Sequence, residues 1–232
     1  MAPMTGLMVS LAGKSFAGQA VLGHISFTLD AGERACLLGP SGIGKSTLLN
    51  LVAGFDTDYQ GTITPPHGRL AMVFQSPRLL PWRTLAQNIA LIPGAPDLAA
   101  ARTLLAEAGL AEAADQYPEK VSLGMQRRAA LCRALAVDPA LILLDEPLVS
   151  LDPATAEQMR QLLRRTLDVT GATALMTTHD RREALALADR ILEIGGSPAT
   201  LVRDRPSPLS RAERLDPDKV ETAYKALFKH PD

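Results

Sequence analysis

The chain has 232 residues, of which 47% are apolar and 21% are charged, and its formal net charge is −1. This length allows one substantial domain or two small subdomains, and the composition is that of a folded globular protein rather than a disordered chain. The near balance of charges argues against nucleic acid as the main ligand, because domains that bind nucleic acid usually carry a clear basic excess.

Membrane-spanning and secretory segments are not expected. No apolar run reaches the roughly 18 to 20 residues that a spanning helix needs. The first 16 residues lack a basic stretch followed by a sustained apolar one, so no secretory signal is predicted. We therefore expect the protein to stay in the cytoplasm and to meet a membrane only through a partner. Cys36 and Cys132 have no second ligand nearby, and both are expected to be buried as small apolar residues.

Short apolar runs alternate with helical stretches, which is typical of an α/β fold with a largely parallel core sheet. The candidate strands, in chain order, are residues 34–38, 70–74, 141–144 and 172–178. The first of them runs into a glycine-rich turn. A helix is predicted to begin at Ser46 and to stop at Gly54.

Residues 77–139 are rich in alanine and leucine and are predicted to form a helical insertion into the α/β core. Asp97 and Gly109 are expected to begin and to end one helix of this insertion. A second helix follows Ser122 and ends before Asp138.

The chain after residue 144 carries two further helix starts. Asp152 is followed by proline, which predicts a long helix that ends near Gly171. The same signal recurs at Asp216, and apolar residues then fall at helical spacing, so a terminal helix packed back on the domain is expected. A docking face for a partner is the alternative. Residues 195–208 are rich in Gly, Pro and Ser and are predicted to form a connector.

The segment GPSGIGKS, from Gly39 to Ser46, matches the phosphate-binding pattern G-x-x-x-x-G-K-[ST] in full. Glycines let backbone N–H groups wrap around phosphates, and the following helix points its positive end at them. Lys45 is expected to reach the β- and γ-phosphates and the Ser46 hydroxyl to bind Mg²⁺. The alternative is a glycine-rich turn with a surface lysine, and the flanking strand and helix argue against it. The predicted nucleotide contacts of the segment are Gly39, Pro40, Ser41, Gly42, Ile43, Gly44, Lys45, Ser46 and Thr47.

Two carboxylates, Asp145 and Glu146, follow the apolar run at 141–144. Ligand groups in α/β sheets lie at the carboxyl ends of strands. Asp145 is therefore expected to act on Mg²⁺, and Glu146 to polarise the attacking water. The alternative is a solvated acidic turn, and the phosphate-binding segment in the same chain argues against it.

With these motifs the chain resembles the ATP-binding subunits of ABC transporters, from about residue 16 to about residue 195. Residues 122–126 (SLGMQ) resemble the family's signature motif, and residues 150–152 resemble its D-loop. Phe16 is placed like the aromatic residue that stacks on adenine. Gln75 and His179 are placed like the Q-loop glutamine and the switch histidine.

The resemblance implies a P-loop NTPase of the ABC ATPase type, with a RecA-like core around a mostly parallel sheet, an antiparallel β subdomain and an inserted helical subdomain. Residues 1–76 and 140–205 would form the nucleotide-binding core. Residues 77–139 would form the helical subdomain with the signature motif, and residues 206–232 a C-terminal helical tail.

The resemblance also implies that two copies pair head to tail with two ATP molecules between them. Ser122 and Gly124 of one copy would bind the γ-phosphate of the other copy's nucleotide, at a helix N-terminus. Asp152 is also expected at the nucleotide.

The resemblance assigns the catalytic roles as well. Glu146 would act as general base, while His179 would hold the γ-phosphate and the attacking water, with Lys45 as the third catalytic residue. Gln75 would join Ser46 and Asp145 at Mg²⁺.

The signature motif departs from the family's pattern at Leu123, where the family has glycine. We expect Leu123 to point away from the nucleotide and to pack in the helical subdomain, which leaves Ser122 and Gly124 able to act. The alternative is that the bulky side chain weakens closure of the dimer.

Residues 79–82 (LLPW) follow the Q-loop, and in this family the region from Gln75 to Trp82 faces the membrane permease. An exposed tryptophan beside proline is typical of protein contacts. The alternative is that Trp82 fills a core gap. LLPW followed by TLAQNIAL resembles importers of nitrate, sulfonates, taurine and pyrimidine precursors of thiamine.

These resemblances predict an importer ATPase bound peripherally at the cytoplasmic face of the inner membrane, with a periplasmic or surface binding protein acting indirectly. The alternative is a soluble ABC ATPase that moves no substrate, such as an iron–sulfur assembly component. DNA-repair types need long coiled-coil insertions, and no heptad run is present.

Overall fold

The computed structural model describes residues 5–92, 97–149 and 151–229. They belong to two compact units: the first comprises Met1–His67 and Thr173–Asp232, and the second comprises Gly68–Ala172. The strands are β1 (Thr5–Phe16), β2 (Gln19–Leu22), β3 (Ile25–Asp30), β4 (Arg34–Leu38), β5 (Gln60–Thr64), β6 (Leu70–Val73), β7 (Leu141–Asp145), β8 (Thr173–Thr178), β9 (Arg190–Gly195) and β10 (Thr200–Pro206). The helices are α1 (Lys45–Val52), α2 (Leu85–Ala90), α3 (Leu98–Glu107), α4 (Leu123–Leu135), α5 (Pro153–Thr170), α6 (Arg181–Leu187) and α7 (Pro217–Phe228).

An antiparallel sheet in the first unit is built around β1, which pairs with β2, β3 and β5. Along β3 the side chains alternate, so that Ile25, Phe27 and Leu29 are buried while their neighbours are exposed. This period of two is what a sheet with one face on a core and one face in water requires.

The parallel strands of the first unit carry the phosphate-binding segment. β4 pairs in parallel with β8 on one side and with β9 on the other. Every residue of β4 and β8 is buried, as expected for parallel strands that are covered on both faces. Because β4 and β8 are parallel, the residues that follow Leu38 and Thr178 emerge at the same edge.

The prediction of a connector at residues 195–208 is wrong. β9 ends at Gly195, and β10 returns antiparallel to it. The glycine, serine and proline that suggested a connector are concentrated in the turn at residues 196–199, where Gly196 has a φ of 88°. Beyond the turn, Arg190 pairs with Asp204 across the two strands at 2.7 Å, which supports a strand at the edge.

In the second unit β6 and β7 pair in parallel, with Leu70 opposite Leu141. The helices α2, α3 and α4 pack around an apolar cluster whose buried members include Leu85, Ile89, Leu105, Leu110, Ala129 and Cys132. The predicted helix starts in this unit are confirmed, because Asp97, Ser122 and Asp152 each cap a helix with a side-chain oxygen. The α/β fold class is confirmed as well.

Within the described residues, no helix combines the length and the apolar character needed to cross a bilayer. Both cysteines are buried, as predicted. Burial raises the pKa of the Cys36 thiol far above its ordinary value and that of Cys132 to about 12. Neither thiol therefore forms the reactive thiolate near neutral pH.

Candidate functional site

The glycine-rich segment connects β4 to α1 and holds its lysine inside the loop. Lys45 is only 5% exposed. Its Nζ donates hydrogen bonds to the carbonyl oxygens of Gly39 at 2.9 Å and Pro40 at 3.1 Å. The ammonium charge therefore lies within the concave face of the loop, where a phosphate chain would lie.

Gly44 has a backbone conformation and surroundings that disfavour a side chain. Its φ is 113°, a conformation that side chains bearing a Cβ rarely adopt. A Cβ at Gly44 would lie 2.6 Å from Cδ2 of Leu22, which is itself buried. The glycine thus lets the backbone turn into α1 against the β2 strand.

The first turn of α1 presents N–H groups for an anion. α1 begins at Lys45, so the N–H groups of Lys45, Ser46 and Thr47 belong to its first turn and are directed towards its N-terminal end. The Ser46 side chain is exposed at this end of the helix. Backbone donors, a helix N-terminus and a lysine at one place form an arrangement suited to phosphates.

His179 lies at the same edge of the parallel strands as the start of this loop. It follows β8 directly and is exposed. It lines a cavity of about 580 Å³ together with Gly39 and Pro40. The next residue, Asp180, caps α6 by accepting a hydrogen bond from the N–H of Arg182 at 2.8 Å.

Phe16 is the last residue of β1, before a two-residue turn into β2. The turn residues Ala17 and Gly18 have φ values of 47° and 82°, as in the tight turns that suit hairpins. Phe16 is 48% exposed, which leaves aromatic surface open to a ligand.

In the second unit, β7 ends at the first of the two predicted carboxylates, Asp145, and Glu146 follows it. Asp145 is 7% exposed, so the alternative of a solvated acidic turn is wrong for this residue. Glu146 has a φ of 45°, which is uncommon for a residue other than glycine. Such a conformation costs about 1–3 kcal/mol and is typical of functional sites.

The signature segment and the residues after the D-loop lie side by side in the second unit. Ser122 accepts a hydrogen bond from the Met125 N–H at 3.3 Å, and Asp152 accepts one from the Thr155 N–H at 3.1 Å. A Cβ on Gly124 would lie 2.9 Å from Cγ2 of Thr155, so the first turns of α4 and α5 are in contact.

The charge at this pair of helix starts is fixed by hydrogen bonding. Bonds from the side chain and backbone of Thr155 hold the pKa of Asp152 below its ordinary value, so the carboxylate stays ionised. Ser150 of the predicted D-loop lies outside the described residues.

The expectation that Leu123 packs in the helical subdomain is wrong. Leu123 is the first residue of α4, directly after the Ser122 cap, and it is 47% exposed. Leu123 is not among the described residues that form or pack against the apolar cluster around Leu105 and Ala129.

The loop with Trp82 is exposed but firmly held. Trp82 is 68% exposed, so the alternative that it fills a core gap is wrong, and Gln75 is exposed too. Asn88, which is 2% exposed, accepts a hydrogen bond from the Leu80 N–H at 2.7 Å and donates to the Leu80 and Arg83 carbonyls at 3.1 Å each. Sequence reasoning missed Asn88, although a polar residue on the apolar face of α2 was a signal.

Comparisons with known proteins agree with this geometry. A model of the ABC transporter family matches residues 22–149. The aliphatic sulfonates import ATP-binding protein SsuB 1 of Pseudomonas savastanoi pv. phaseolicola is 41% identical over 216 residues, which cover 92% of this chain and 91% of that protein. The protein of the same name from Streptomyces avermitilis is 40% identical over 225 residues, with coverages of 92% and 86%.

A solved structure is similar across most of the chain. It is the dimeric structure of a post-hydrolysis state of the ATP-binding cassette MJ0796 bound to ADP and Pi, with a TM-score of 0.73 and 27% identity. The match covers 89% of this chain and 100% of that chain. The predicted ABC ATPase fold is thereby confirmed. The chain belongs to the ABC transporter family, and it is an ATP-binding subunit that hydrolyses ATP.

Proposed function

We propose that this chain powers an importer for small organic anions of the aliphatic sulfonate class, by hydrolysing ATP in a head-to-tail dimer attached to a separate permease. The observation that carries the proposal is the exposed Trp82, whose loop is held in place by the hydrogen bonds described above. The relatives of this chain are named as sulfonate import ATP-binding proteins. The alternative of an iron–sulfur assembly component is not favoured by these relatives.

Nucleotide binding is assigned to the first unit. The backbone N–H groups of residues 39–47 other than Pro40, together with the Lys45 ammonium, bind the phosphates, because they converge on one concave loop. Phe16 stacks on adenine with its exposed surface. His179 contacts the γ-phosphate and the attacking water, since it lies at the edge where the loop starts.

Each residue assigned to Mg²⁺ carries an oxygen atom of a kind that the ion accepts. Ser46, Gln75 and Asp145 offer hydroxyl, amide and carboxylate oxygens, and magnesium prefers oxygen ligands. The described residues contain no group of three or more His, Cys, Asp or Glu that could hold a metal ion. A cation held by one carboxylate and by the phosphates of the nucleotide agrees with that finding. When bound, Mg²⁺ neutralises charge on the phosphates.

Hydrolysis depends on residues of both copies. Glu146 orients the attacking water and accepts its proton, and its uncommon backbone conformation fixes the direction in which the carboxylate leaves β7. Ser122 and Gly124 of the second copy contact the γ-phosphate from the start of α4. Asp152, ionised and next to them, orders the same surface.

The chain is assigned to a membrane complex because its proposed partner is a permease. The region from Gln75 to Trp82 contacts the permease, and the chain is held peripherally at the cytoplasmic face of the membrane by that contact. Under this proposal residues 1–76 and 140–205 serve as the nucleotide-binding core, residues 77–139 as the helical subdomain, and residues 206–232 as the tail.

The test is the ATPase rate of the complex reconstituted in vesicles with its permease and binding protein. We expect an aliphatic sulfonate with the loaded binding protein to raise the rate, and sulfate or nitrate to raise it far less. A complex that responds equally to all three anions would contradict the assigned substrate class.

The role of Glu146 has a test of its own. The variant Glu146→Gln keeps the size of the side chain and removes the base. We expect this variant to bind ATP normally and to lose at least about 100-fold in hydrolysis, within the range for a general base. ATP binding by calorimetry and phosphate release report the two steps separately. Normal turnover by Glu146→Gln would refute the assigned role.

A further inference from the structure

Lys14 is a buried lysine beside the aromatic residue that we assign to adenine. It is 3% exposed, which is rare for a lysine unless the ammonium is paired. Lys14 and Phe16 are two residues apart on β1, and the register of β1 with β2 shifts between Lys14 and Ser15. The Lys14 Nζ lies 4.6 Å from the centroid of the Phe16 ring, within the range of a cation–π contact.

The ammonium is held from its other side by two aspartates. Its distance to an Asp56 carboxylate oxygen is 2.9 Å, and its distance to Asp58 Oδ2 is 3.3 Å. It also donates a hydrogen bond to the Asp58 carbonyl oxygen. Burial alone would lower the pKa of Lys14, but the bonds to Asp56 and Asp58 outweigh it and raise the pKa. The charge is therefore permanent near neutral pH.

The two aspartates that bind Lys14 lie in the segment that follows the phosphate-binding loop and its helix α1. Asp56 and Asp58 lie between the end of α1 and the start of β5. β5 pairs with β1, with Gln60 opposite Gly13, which brings these aspartates to Lys14. One ammonium thus connects the ring at the end of β1 to the segment after the helix of the phosphate-binding loop.

We infer that Lys14 is a positioning residue for the nucleotide base, and that it fixes the plane of the Phe16 ring with its ammonium on one face so that adenine stacks on the other. The inference rests on the proposed function, in which Phe16 stacks on adenine. Holding a half-exposed ring in one orientation before binding removes part of the entropic cost of stacking. A cation–π contact that is largely desolvated is strong enough to do so.

The experiment compares two ligands that differ in the base. Wild type, Lys14→Met, Phe16→Ala and the double variant are titrated with ATP and with inorganic tripolyphosphate by calorimetry, in EDTA to prevent hydrolysis. We expect Lys14→Met to bind ATP about threefold to tenfold more weakly, in keeping with the strength of such a contact. Tripolyphosphate binding should not change, and the double variant should bind ATP no more weakly than Phe16→Ala.

The control is Lys225→Met, which removes an exposed lysine from α7 and should leave both affinities unchanged. Asp56→Asn is the second variant, because it weakens the anchor without altering Lys14 and should give a smaller loss for ATP alone. It takes the place of Lys14→Met if that variant does not fold.

Three results would overturn the inference. If Phe16→Ala weakens ATP binding and Lys14→Met does not, adenine stacking stands and Lys14 has no part in it. If Lys14→Met weakens both ligands equally, its role is structural. If Phe16→Ala binds ATP like the wild type, the assigned adenine contact fails and the inference fails with it.

Discussion

Leu123 stands where the family's signature has glycine, and half of its surface is open to solvent. It directly follows the cap of α4 and precedes Gly124, which is in contact with α5. In the proposed dimer this helix start meets the nucleotide of the other copy. A bulky side chain at such a junction keeps the two surfaces apart unless they shift.

We expect Leu123→Gly to raise the ATPase rate of the isolated protein about fivefold, because relief of overpacking by about 1 kcal/mol corresponds to that factor. Steady-state phosphate release at saturating ATP measures it. Leu98→Gly is the matched control, since Leu98 is also exposed and also directly follows a capping residue, Asp97 of α3. If the rate of Leu123→Gly were unchanged or lower, Leu123 would not be the residue that limits the ATPase rate.

At the scale of the elements, Asp189 ties the segment before α7 to the parallel strands. Its carboxylate accepts hydrogen bonds from Arg214 at 2.7 Å, from Arg211 at 2.6 Å and from the Arg34 N–H at 3.1 Å. Burial alone would raise the pKa of Asp189, but the two arginines outweigh it and hold the pKa at about 2. A carboxylate with a lowered pKa stabilises the fold above its ordinary pKa, and this contribution is lost as the pH falls.

We expect Asp189→Asn to lower the free energy of unfolding by about 1–2 kcal/mol at pH 7, after allowance for the half-exposed Arg211. The difference from the wild type should shrink as the pH falls from about 4 towards about 2. Urea denaturation at a series of pH values measures it. Asp115→Asn removes a more exposed ion pair with Arg102 and should cost less than about 0.5 kcal/mol. Equal losses in both variants would contradict the assigned anchor.

The starts of four helices could be predicted from the sequence because they are determined locally. Asp97, Ser122, Asp152 and Asp216 each supply a capping oxygen, which depends only on the next two or three residues. The hairpin of β9 and β10 was missed, because an edge strand depends on the partner it pairs with, while the glycine and proline of its turn dominated the local pattern.

In the candidate site, too, the contiguous part could be predicted from the sequence and the part that depends on distant residues could not. The phosphate-binding loop is a contiguous run, so its residues could be named one by one. Lys14 has partners 42 and 44 residues further along the chain, at Asp56 and Asp58, and nothing in its own neighbourhood indicates them. The exposure of Leu123 likewise depends on how α4 meets its neighbours.

For the whole molecule, the proposed coupling depends on Trp82. We expect Trp82→Ala to leave the ATPase rate of the isolated protein unchanged and to weaken binding to the permease at least tenfold, as for an aromatic residue central to an interface. Co-purification from reconstituted vesicles measures it. Phe55→Ala removes another exposed aromatic residue, 64% open to solvent, and serves as the control. If Trp82→Ala bound the permease as well as the wild type does, the permease contact would have to lie at another part of the chain.

The burial of Cys36 and Cys132 has a practical consequence for following the proposed dimer during ATP binding and hydrolysis. Since neither thiol is reachable or ionised, a cysteine introduced at a surface position would react with a maleimide label ahead of the two native ones. Val169 on α5, 87% exposed, is such a position. Spin labels at this site in two copies would report the distance between them during ATP turnover, with both native cysteines left in place.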